Sequence, residues 1–424
     1  MLENLSLTKN TLAKNLAIFG SGNSVAQIFM VVYALLLARF LSPAGYGLFT
    51  GSYAIANVSA FLFNWGLDTW LLRETVTKGN DNRNTGSVIL TKMGFGVVWA
   101  VLLVSLLPIL QPQVYVRSFL SICVLDVLGE GLFSAQISML NAKKNFHQAS
   151  SLLLISRGGR LAGAIGLILV GLRDPILFTL ARWIATLIAM LIAMFITRPA
   201  FTLNKPGYYY GMIKSSLAFG LSDFLSAIYI QADISILALI KGNRDLIGAY
   251  SPATGLISAL FIIPNAVYLV ILPNIIKAIN ERDRKLRGIY RNSFLGFTGL
   301  GLILMVSIWL IGKPVTLFIL GPAYKTTGDL MIILSPIIFM KSIEFVCADF
   351  IIAGGLQKSR LMPQVLSALL NVILNIILIP LWGVWAVAYV YVLSELVLVI
   401  GYLWIVFRKW QELKMEPNIT WMNH

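Results

Sequence analysis

Twelve stretches of about 20 largely apolar residues follow one another along this 424-residue chain, and they constrain its fold more than any other feature. A helix that crosses roughly 30 Å of hydrocarbon needs about 20 such residues. The composition agrees, because 58% of the residues are hydrophobic and only 12% are charged, whereas about 25% are charged in an ordinary soluble domain. We therefore predict an all-α polytopic membrane protein and exclude a soluble enzyme. The predicted transmembrane helices are 16–38, 47–67, 87–110, 115–139, 151–171, 175–196, 215–240, 248–276, 292–312, 328–352, 362–381 and 384–407.

Lysine and arginine residues are distributed unevenly over the segments between these spans. With the N-terminus on the cytoplasmic side, the inside segments hold 24 of them, including Lys92 and the run from Lys277 to Arg291, and the outside segments hold 7. By the positive-inside rule, this bias predicts that both termini are cytoplasmic. We expect a multi-pass protein of the cytoplasmic (inner) membrane whose first span is retained rather than cleaved.

The two halves of the chain resemble each other. Leu16–Gly20 opens the first span with Leu-Ala-Ile-Phe-Gly, and Leu217–Gly220 opens the seventh with Leu-Ala-Phe-Gly. Gly47–Thr50 enters the second span where Gly248–Ser251 enters the eighth, and the two spacings agree to within one residue. We predict two pseudo-symmetric six-helix lobes, 1–200 and 201–424, related by an axis along the membrane normal. Transporters built from such repeats bind their substrate between the halves.

The sequence offers no metal site, disulfide framework or nucleotide-binding motif. Cys123 and Cys347 lie within apolar stretches, and the two histidines, His147 and His424, are far apart, so the spacing does not suit a zinc site. The phosphate loop that would mark a protein powered directly by ATP is missing. No cofactor and no metal are expected. Membrane topology explains the net charge of +15, so no nucleic acid partner is expected either.

Uncharged polar residues line one face of the first span. Asn23 and Gln27 are one helical turn apart, with Ser21 and Ser24 beside them. Such a stripe is explained either by hydrogen bonds between neighbouring helices or by the wall of a hydrophilic cavity. The seventh span repeats the pattern, which favours the cavity. Its polar residues are Ser222, Asp223, Ser226, Tyr229, Gln231, Asp233 and Ser235.

Two basic residues fall midway along spans, Arg182 in the sixth and Lys341 in the tenth. A cation in a dry helix bundle needs a carboxylate partner or an anionic ligand. Lys341 has Glu344 at i+3, which permits a structural ion pair. Arg182 has no carboxylate within two turns of its own helix, and its available partners are Asp126 and Glu130 in the fourth span. An unpaired Arg182 could bind a phosphate group through two parallel N–H donors of its guanidinium.

Further charged residues lie near the ends of spans or within them. Arg157 and Arg160 are three residues apart at the start of the fifth span, among glycines that give close backbone access. They either anchor the helix at lipid headgroups or bind phosphate. Buried acids can couple transport to a proton or sodium gradient. The available acids are Asp68, Asp223, Asp233, Glu344, Asp349 and Glu395.

Several motifs together resemble those of one protein family. Leu37–Gly47, Leu-Ala-Arg-Phe-Leu-Ser-Pro-Ala-Gly-Tyr-Gly, closely resembles the turn after the first helix of polysaccharide transporters. These are the Wzx-type oligosaccharide flippases of the multidrug/oligosaccharidyl-lipid/polysaccharide (MOP) superfamily. Asn371–Pro380, followed by Gly383, resembles the family's eleventh helix. Asp233–Leu237 and Gly248–Tyr250 resemble its seventh-to-eighth helix signature, so the resemblance covers essentially the whole chain.

The resemblance implies a V-shaped fold, similar to that of multidrug (MATE) transporters, with a cationic cavity that opens alternately to each side. It implies that a polyprenyl-pyrophosphate-linked oligosaccharide moves to the outer leaflet for surface polysaccharide or O-antigen synthesis, driven by H⁺ or Na⁺. The expected partners are this carrier lipid, membrane lipids and polysaccharide polymerase or chain-length machinery. The expected substrate-binding residues are Arg182, Lys341, Arg157, Arg160, Asn23 and Gln27.

Two other functions stay open at this point. A MATE-like multidrug or cation antiporter of the same superfamily would depend on the buried acids rather than on Arg182. A membrane-embedded polymerase or ligase would need catalytic groups on an outer loop, and the longest outside segments offer little beyond Arg117, Asp245 and Lys325. We therefore expect a transporter and not an enzyme. Twelve spans rather than fourteen argue against the lipid II flippase branch.

Overall fold

The computed structural model of the chain describes residues 2–78, 82–110, 113–240, 243–265, 267–268, 271, 286–353 and 356–415, and all regular secondary structure in these ranges is helical. Short 3₁₀ turns at Pro322–Tyr324 and Gln357–Arg360 join some of the helices. The helices are α1 Leu2–Ser59, α2 Phe61–Asn64, α3 Leu67–Lys78, α4 Asn82–Leu110, α5 Val114–Ala142, α6 Phe146–Leu169, α7 Pro175–Thr197, α8 Pro206–Ile240, α9 Arg244–Leu260, α10 Leu286–Leu320, α11 Lys325–Leu334, α12 Pro336–Ala353, α13 Leu361–Trp382 and α14 Val384–Met415.

The helices form two compact units, Met1–Gln231 and Ala232–His424, which we call unit 1 and unit 2. The boundary falls inside α8, so the first part of this helix packs with unit 1 and its remainder, from Ala232 onward, packs with unit 2. The division into lobes at residue 200, which the internal repeat suggests, stays a prediction.

Most of the predicted spans correspond to long apolar helices. Within the described ranges, nine helices are long and apolar enough to cross a membrane, or ten if one bent pair counts as a single span. The first and second predicted spans share one 43-residue helical stretch, Gly22–Asn64. A straight helix of that length would measure about 65 Å, twice the hydrocarbon thickness. The backbone breaks between them at Ser42 (φ 64°, ψ 164°), before Pro43 and within the motif that predicted a turn.

The tenth predicted span is not one straight helix. It is divided between α11 and α12, which are bent by 43° at Ser335 and Pro336. Proline has no backbone N–H, and its ring clashes with the carbonyl group of the preceding turn, so a helix kinks where proline enters it. The apolar pattern runs through this break, so the sequence does not reveal it, and the bent pair still qualifies as one candidate span.

Some sequence predictions lie outside the described residues. The last part of the eighth span and most of the basic run from Lys277 to Arg291 fall there. The side chains of Ser21, Ser222, Ser226 and Tyr229 are likewise outside the described part, although their backbone is helical.

The described helices expose many large apolar side chains and bury several charged ones. Large apolar side chains such as Phe195 and Phe318 are 76% and 85% exposed. Lys92, Asp126 and Glu395 are fully buried. Apolar side chains face lipid without cost, whereas a charge in hydrocarbon costs several kcal/mol unless it is paired. The exposed faces of these helices are therefore lipid-facing surfaces, and these charges are enclosed among helices.

A glycine contact packs α8 against the turn between α2 and α3. Trp65 and Gly66 in that turn have left-handed backbone angles (φ 44° and 68°). Gly220 on α8 lies directly against them, and a Cβ atom added to it would be 2.7 Å from the carbonyl carbon of Trp65. Because backbone meets backbone here, no side chain can rotate away to make room. The Leu-Ala-Phe-Gly motif of the predicted repeat therefore has a packing role in unit 1.

We expect Gly220→Ala to reduce the free energy of unfolding by about 1–3 kcal/mol, because the added methyl group overpacks a contact between backbones. Gly211→Ala is the matched control, since Gly211 lies on the same helix and a Cβ atom added there would meet no atom of the described residues within 4 Å. Thermal unfolding of the detergent-solubilised protein measures both. Equal melting temperatures for the two variants would contradict this packing role.

Candidate functional site

Five charged residues of unit 1 meet at one place, which we call the arginine cluster. Asp126 and Glu130 lie one turn apart on α5, Arg157 and Arg160 on α6, and Arg182 on α7. The spacings of four on α5 and three on α6 place each pair on one face of its helix. With all five residues ionised, the cluster carries three positive and two negative charges, a net charge of +1.

Asp126 and Arg182 form the most enclosed contact of the cluster. Arg182 Nε donates to Asp126 Oδ2 at 2.6 Å, and the Tyr53 hydroxyl donates to the same oxygen at 2.8 Å. The Thr186 hydroxyl donates to Oδ1 at 3.2 Å. The guanidinium of Arg182 also lies 4.2 Å from the centroid of the Tyr53 ring. The pairing of Arg182 with the fourth span, one of the options left open by the sequence, is therefore present.

Glu130 contacts all three arginines. Its Oε2 accepts a hydrogen bond from Arg182 Nη2 at 2.9 Å. Its Oε1 lies 3.4 Å from Arg157 Nη2 and 3.5 Å from Arg160 Nη2. Because an N–H···O hydrogen bond is normally 2.7–3.2 Å long, Oε1 is held by charge attraction more than by hydrogen bonds.

Arg160 has donor capacity that the cluster does not use. Its Nη2 donates to the Thr186 hydroxyl at 2.9 Å, whereas Nε and Nη1 have no hydrogen-bond partner among the described residues. The residue is buried, which excludes lipid-headgroup anchoring for Arg160. The side chains of Arg157 and Glu130 are 27% and 29% exposed, so the cluster is accessible from their side. A buried cation with unused donors has the chemistry to bind an anionic ligand.

Lys92 and Asp68 form a second buried pair in unit 1. Lys92 Nζ donates to Asp68 Oδ1 at 2.6 Å and to the Gly131 carbonyl at 2.8 Å, and the Ser134 hydroxyl donates to Asp68 Oδ2 at 2.6 Å. The Lys92 side chain is fully buried on α4, although the sequence groups Lys92 with the cytoplasmic segments. Its position inside the predicted span 87–110 was the signal that sequence analysis missed. Asp223, exposed on α8, is close enough to interact electrostatically with both residues.

Unit 2 contains a comparable group around Lys341 on α12. Lys341 Nζ lies 2.5 Å from Glu344 Oε2 and 2.7 Å from Glu395 Oε1, and Glu395 is fully buried on α14. In both halves the ion pairs join the fourth and sixth predicted spans of that half. The polarity is reversed, because the fourth span supplies the acids in unit 1 and the lysine in unit 2. The same two spans are therefore used in each half of the predicted repeat. In the group around Lys341, the two acids outnumber the one base.

Two more acids are buried in unit 2. Asp233 accepts hydrogen bonds at Oδ2 from the Tyr250 hydroxyl, at 2.5 Å, and at Oδ1 from the Ile234 backbone N–H, at 2.8 Å. Asp349 on α12 is fully buried, and neither of its carboxylate oxygens has a hydrogen-bond partner among the described residues. A buried carboxylate without a donor is costly when it is ionised. Asp349 is therefore suited to holding a proton or another cation.

The remaining predicted site residues, Asn23 and Gln27, are exposed on α1. Those described residues also contain no group of three His, Cys, Asp or Glu side chains that could hold a metal ion. The structure thus brings together Arg157, Arg160 and Arg182 in unit 1 and, separately, Lys341 and Glu344 in unit 2.

Comparisons with known proteins place this architecture in a class. An inward-closed structure of the lipid II flippase MurJ has a TM-score of 0.74 at 15% identity, covering 92% of this chain and 87% of that chain. An inward-facing multidrug resistance MATE family transporter of the MOP superfamily has a TM-score of 0.70 at 13% identity, covering 90% and 94%. A MOP superfamily transporter from Pyrococcus furiosus has a TM-score of 0.60 at 14% identity, covering 94% of both chains. No curated protein sequence matches the chain.

The chain is therefore a multi-pass membrane protein with the fold of MOP superfamily transporters. Residues 36–329, more than half of its length, match the family model described as polysaccharide biosynthesis protein. The chain belongs to this family. The match confirms the resemblance inferred from Leu37–Gly47, Asp233–Leu237 and Gly248–Tyr250, and the Asn371–Pro380 motif lies outside the matched residues.

We expect Asp126→Asn to destabilise unit 1 by about 3–5 kcal/mol, because it leaves the guanidinium of Arg182 without its enclosed carboxylate. Asp329→Asn is the matched control. Its carboxylate lies at the same 2.6 Å distance from Lys313 Nζ, but both side chains are 36% exposed. Exposed pairs contribute less than about 1 kcal/mol. Thermal or denaturant unfolding compares the two variants, and a similar loss in both would show that burial does not strengthen the Asp126 contact.

Proposed function

We propose that this protein is a flippase that moves a polyprenyl-pyrophosphate-linked oligosaccharide from the cytoplasmic to the outer leaflet of the cytoplasmic (inner) membrane for surface polysaccharide or O-antigen synthesis. It works by alternating access and is coupled to a proton or sodium gradient. It performs no chemical step on its substrate. Its partners are the carrier lipid, the surrounding membrane lipids and the polymerase or chain-length machinery that uses the flipped sugar.

The observation that carries this proposal is the arginine cluster, and Arg160 in particular. A lipid-linked sugar of this class presents a pyrophosphate between a hydrocarbon tail and a polar glycan. Guanidinium groups bind phosphate oxygens through paired N–H donors. Arg160 keeps Nε and Nη1 without partners among the described residues, and the cluster has a net positive charge before any ligand is bound. Membership of the polysaccharide biosynthesis protein family supports the same substrate class.

The acids of unit 2 support ion coupling. A coupling ion must bind a buried group in one state of the transporter and leave it in another. Asp349 meets the first requirement because it is buried and its oxygens have no hydrogen-bond partner in the described ranges. Asp233 is the second candidate, although the Tyr250 hydroxyl and a backbone N–H already satisfy part of its hydrogen-bonding capacity. We propose that unit 1 binds the substrate anion and unit 2 binds the coupling cation.

A multidrug or cation antiporter is the second candidate function, and Asp349 is the observation that favours it. A buried acid can bind a cationic substrate as well as a coupling ion. This alternative gives the arginine cluster only a structural role. The two functions therefore predict different effects of losing Arg160: a flippase loses transport of its substrate, whereas an antiporter keeps it.

We expect Arg160→Gln to abolish polysaccharide export while the protein level stays normal, because the substrate loses a buried guanidinium with unused donors. Arg182→Ala should have the same effect on export, but it also removes the partner of Asp126, so Arg160→Gln is the cleaner variant. Native mass spectrometry of protein extracted gently from its host measures whether a polyprenyl pyrophosphate sugar co-purifies.

Arg173→Gln is the matched control for this experiment. It removes the same charge from an exposed position between α6 and α7 and should keep both the bound lipid and export. Full export by Arg160→Gln would count against the anion site. Co-purification of ordinary phospholipid alone, together with stabilisation by a small cationic compound, would favour the antiporter.

We expect Asp349→Asn to retain the co-purified lipid-linked sugar and to lose the dependence of transport on the ion gradient, because the amide cannot take up a proton or hold a cation by charge. Transport into vesicles with imposed proton or sodium gradients measures this. Asp329→Asn, at a partly exposed position of the same unit, is the control. Gradient-driven transport at the normal rate in Asp349→Asn would exclude Asp349 as the coupling residue.

A further inference from the structure

The two carboxylates of the arginine cluster are held in different ways. Asp126 is fully buried and accepts from Arg182, Tyr53 and Thr186. Glu130 is 29% exposed and lies among Arg157, Arg160 and Arg182, of which only Arg182 approaches it more closely than 3.4 Å. Asp126 is therefore fixed in the packing, whereas Glu130 is partly exposed and weakly bound on one oxygen.

We infer that Glu130 is an internal counter-anion that occupies the phosphate position of the substrate site and is displaced when the substrate binds. This inference rests on the proposed function, since it assigns a specific competitor to the anion site. In the absence of substrate, the Glu130 carboxylate neutralises part of the charge of the three guanidiniums. When a pyrophosphate arrives, Glu130 swings toward the opening and the phosphate oxygens take its place.

The hydrogen-bonding capacity of the cluster supports this exchange. Each arginine offers five N–H donors, and a carboxylate has only two oxygens to receive them. Glu130 Oε1 stays at 3.4 and 3.5 Å from two arginines, and Nε and Nη1 of Arg160 have no partner in the described part of the chain. A pyrophosphate has more oxygens spread over a longer group. It can therefore satisfy donors that Glu130 leaves unused.

The charge of the cluster also supports the displacement of Glu130 by pyrophosphate. With Glu130 in place, the three arginines and two acids sum to +1. With Glu130 turned away into solvent, the three arginines and Asp126 sum to +2, which matches a ligand that carries two or more negative charges. A singly charged anion gains little over Glu130, so the carboxylate selects for pyrophosphate by competing with weaker anions.

The same exchange would help the transporter to release its substrate and return. Unpaired arginines inside a membrane protein cost free energy. A substrate-free site with a net charge of +2 would slow both the release of the substrate and the return of the transporter to its starting conformation. Because Glu130 lies on the same helix as the fixed Asp126, its carboxylate remains within reach of the arginines throughout. The Glu130 carboxylate therefore replaces the departing phosphate and lowers the free energy of the substrate-free transporter.

The test is Glu130→Gln, which removes the charge and keeps the shape of the side chain. The full-length protein in lipid nanodiscs is titrated with inorganic pyrophosphate by calorimetry, and polysaccharide export is measured in cells. We expect the Kd for pyrophosphate to fall roughly tenfold, in the range of charge-pair couplings, and export to slow at the same time. Tighter binding combined with slower transport is not expected from a residue with a purely structural role.

Two further variants complete the design. Glu74→Gln makes the same chemical change on α3 and should leave both the Kd and export unchanged. Glu130→Asp keeps the charge on a shorter side chain that no longer spans the three arginines, and it should tighten pyrophosphate binding to a smaller degree. Glu130→Asp also serves as the test if Glu130→Gln does not fold.

Each outcome decides one question. If the wild type and Glu130→Gln bind pyrophosphate with the same Kd, the displacement of Glu130 is disproved and the proposed anion site stands. If Glu130→Gln or Glu130→Asp binds more weakly than the wild type, Glu130 only positions the arginines and the inference is wrong. If no folded protein, including the wild type, binds pyrophosphate, the proposed anion site itself is overturned and the inference with it.

Discussion

The contact between Arg182 and Asp126 is the interaction on which the interior of unit 1 depends. A charged side chain at membrane depth needs a partner of opposite charge and donors for its remaining oxygens. Asp126 obtains these from α7 through Arg182 and Thr186 and from α1 through Tyr53. Arg160 connects α6 to the same group through Thr186. Four helices are thus fixed in register by one polar network.

Under the proposed function, this network would let the arginines bind a ligand without destabilising the protein. Because Asp126 compensates Arg182 permanently, the remaining positive charge is concentrated on Arg157 and Arg160 near the accessible side of the cluster. Unit 2 has a related group with the opposite balance, since Lys341 lies between Glu344 and Glu395, and two further acids of that unit are buried. Under the proposed function, the opposite charge balance of the two groups lets unit 1 bind an anion and unit 2 bind a cation.

The fold alone does not decide between these uses. Structures similar to this chain include a lipid II flippase and multidrug transporters at 13–15% identity, and a likeness at that level establishes the architecture only. Function in such folds depends on the side chains placed in the interior. In this protein the distinguishing groups are a net cationic cluster with unused donors and the buried Asp349. Under the proposed function, these groups, and not the shape of the fold, distinguish a carrier of an anionic lipid from a carrier of cations.

The sequence by itself determined the membrane class and most of the spans, because hydropathy and helical spacing are local properties of the chain. The motif at Leu37–Gly47 and the basic residue midway along the sixth span were both visible in this way. Only the tertiary structure decided that Glu130 bridges three arginines, that Lys92 is buried against Asp68, and that the tenth span breaks at Pro336. Each of these depends on which helix faces meet or on how a bend is accommodated. Apolar residues occur both at buried positions and at lipid-facing positions of a span. The apolar pattern therefore does not show which helix faces pack together.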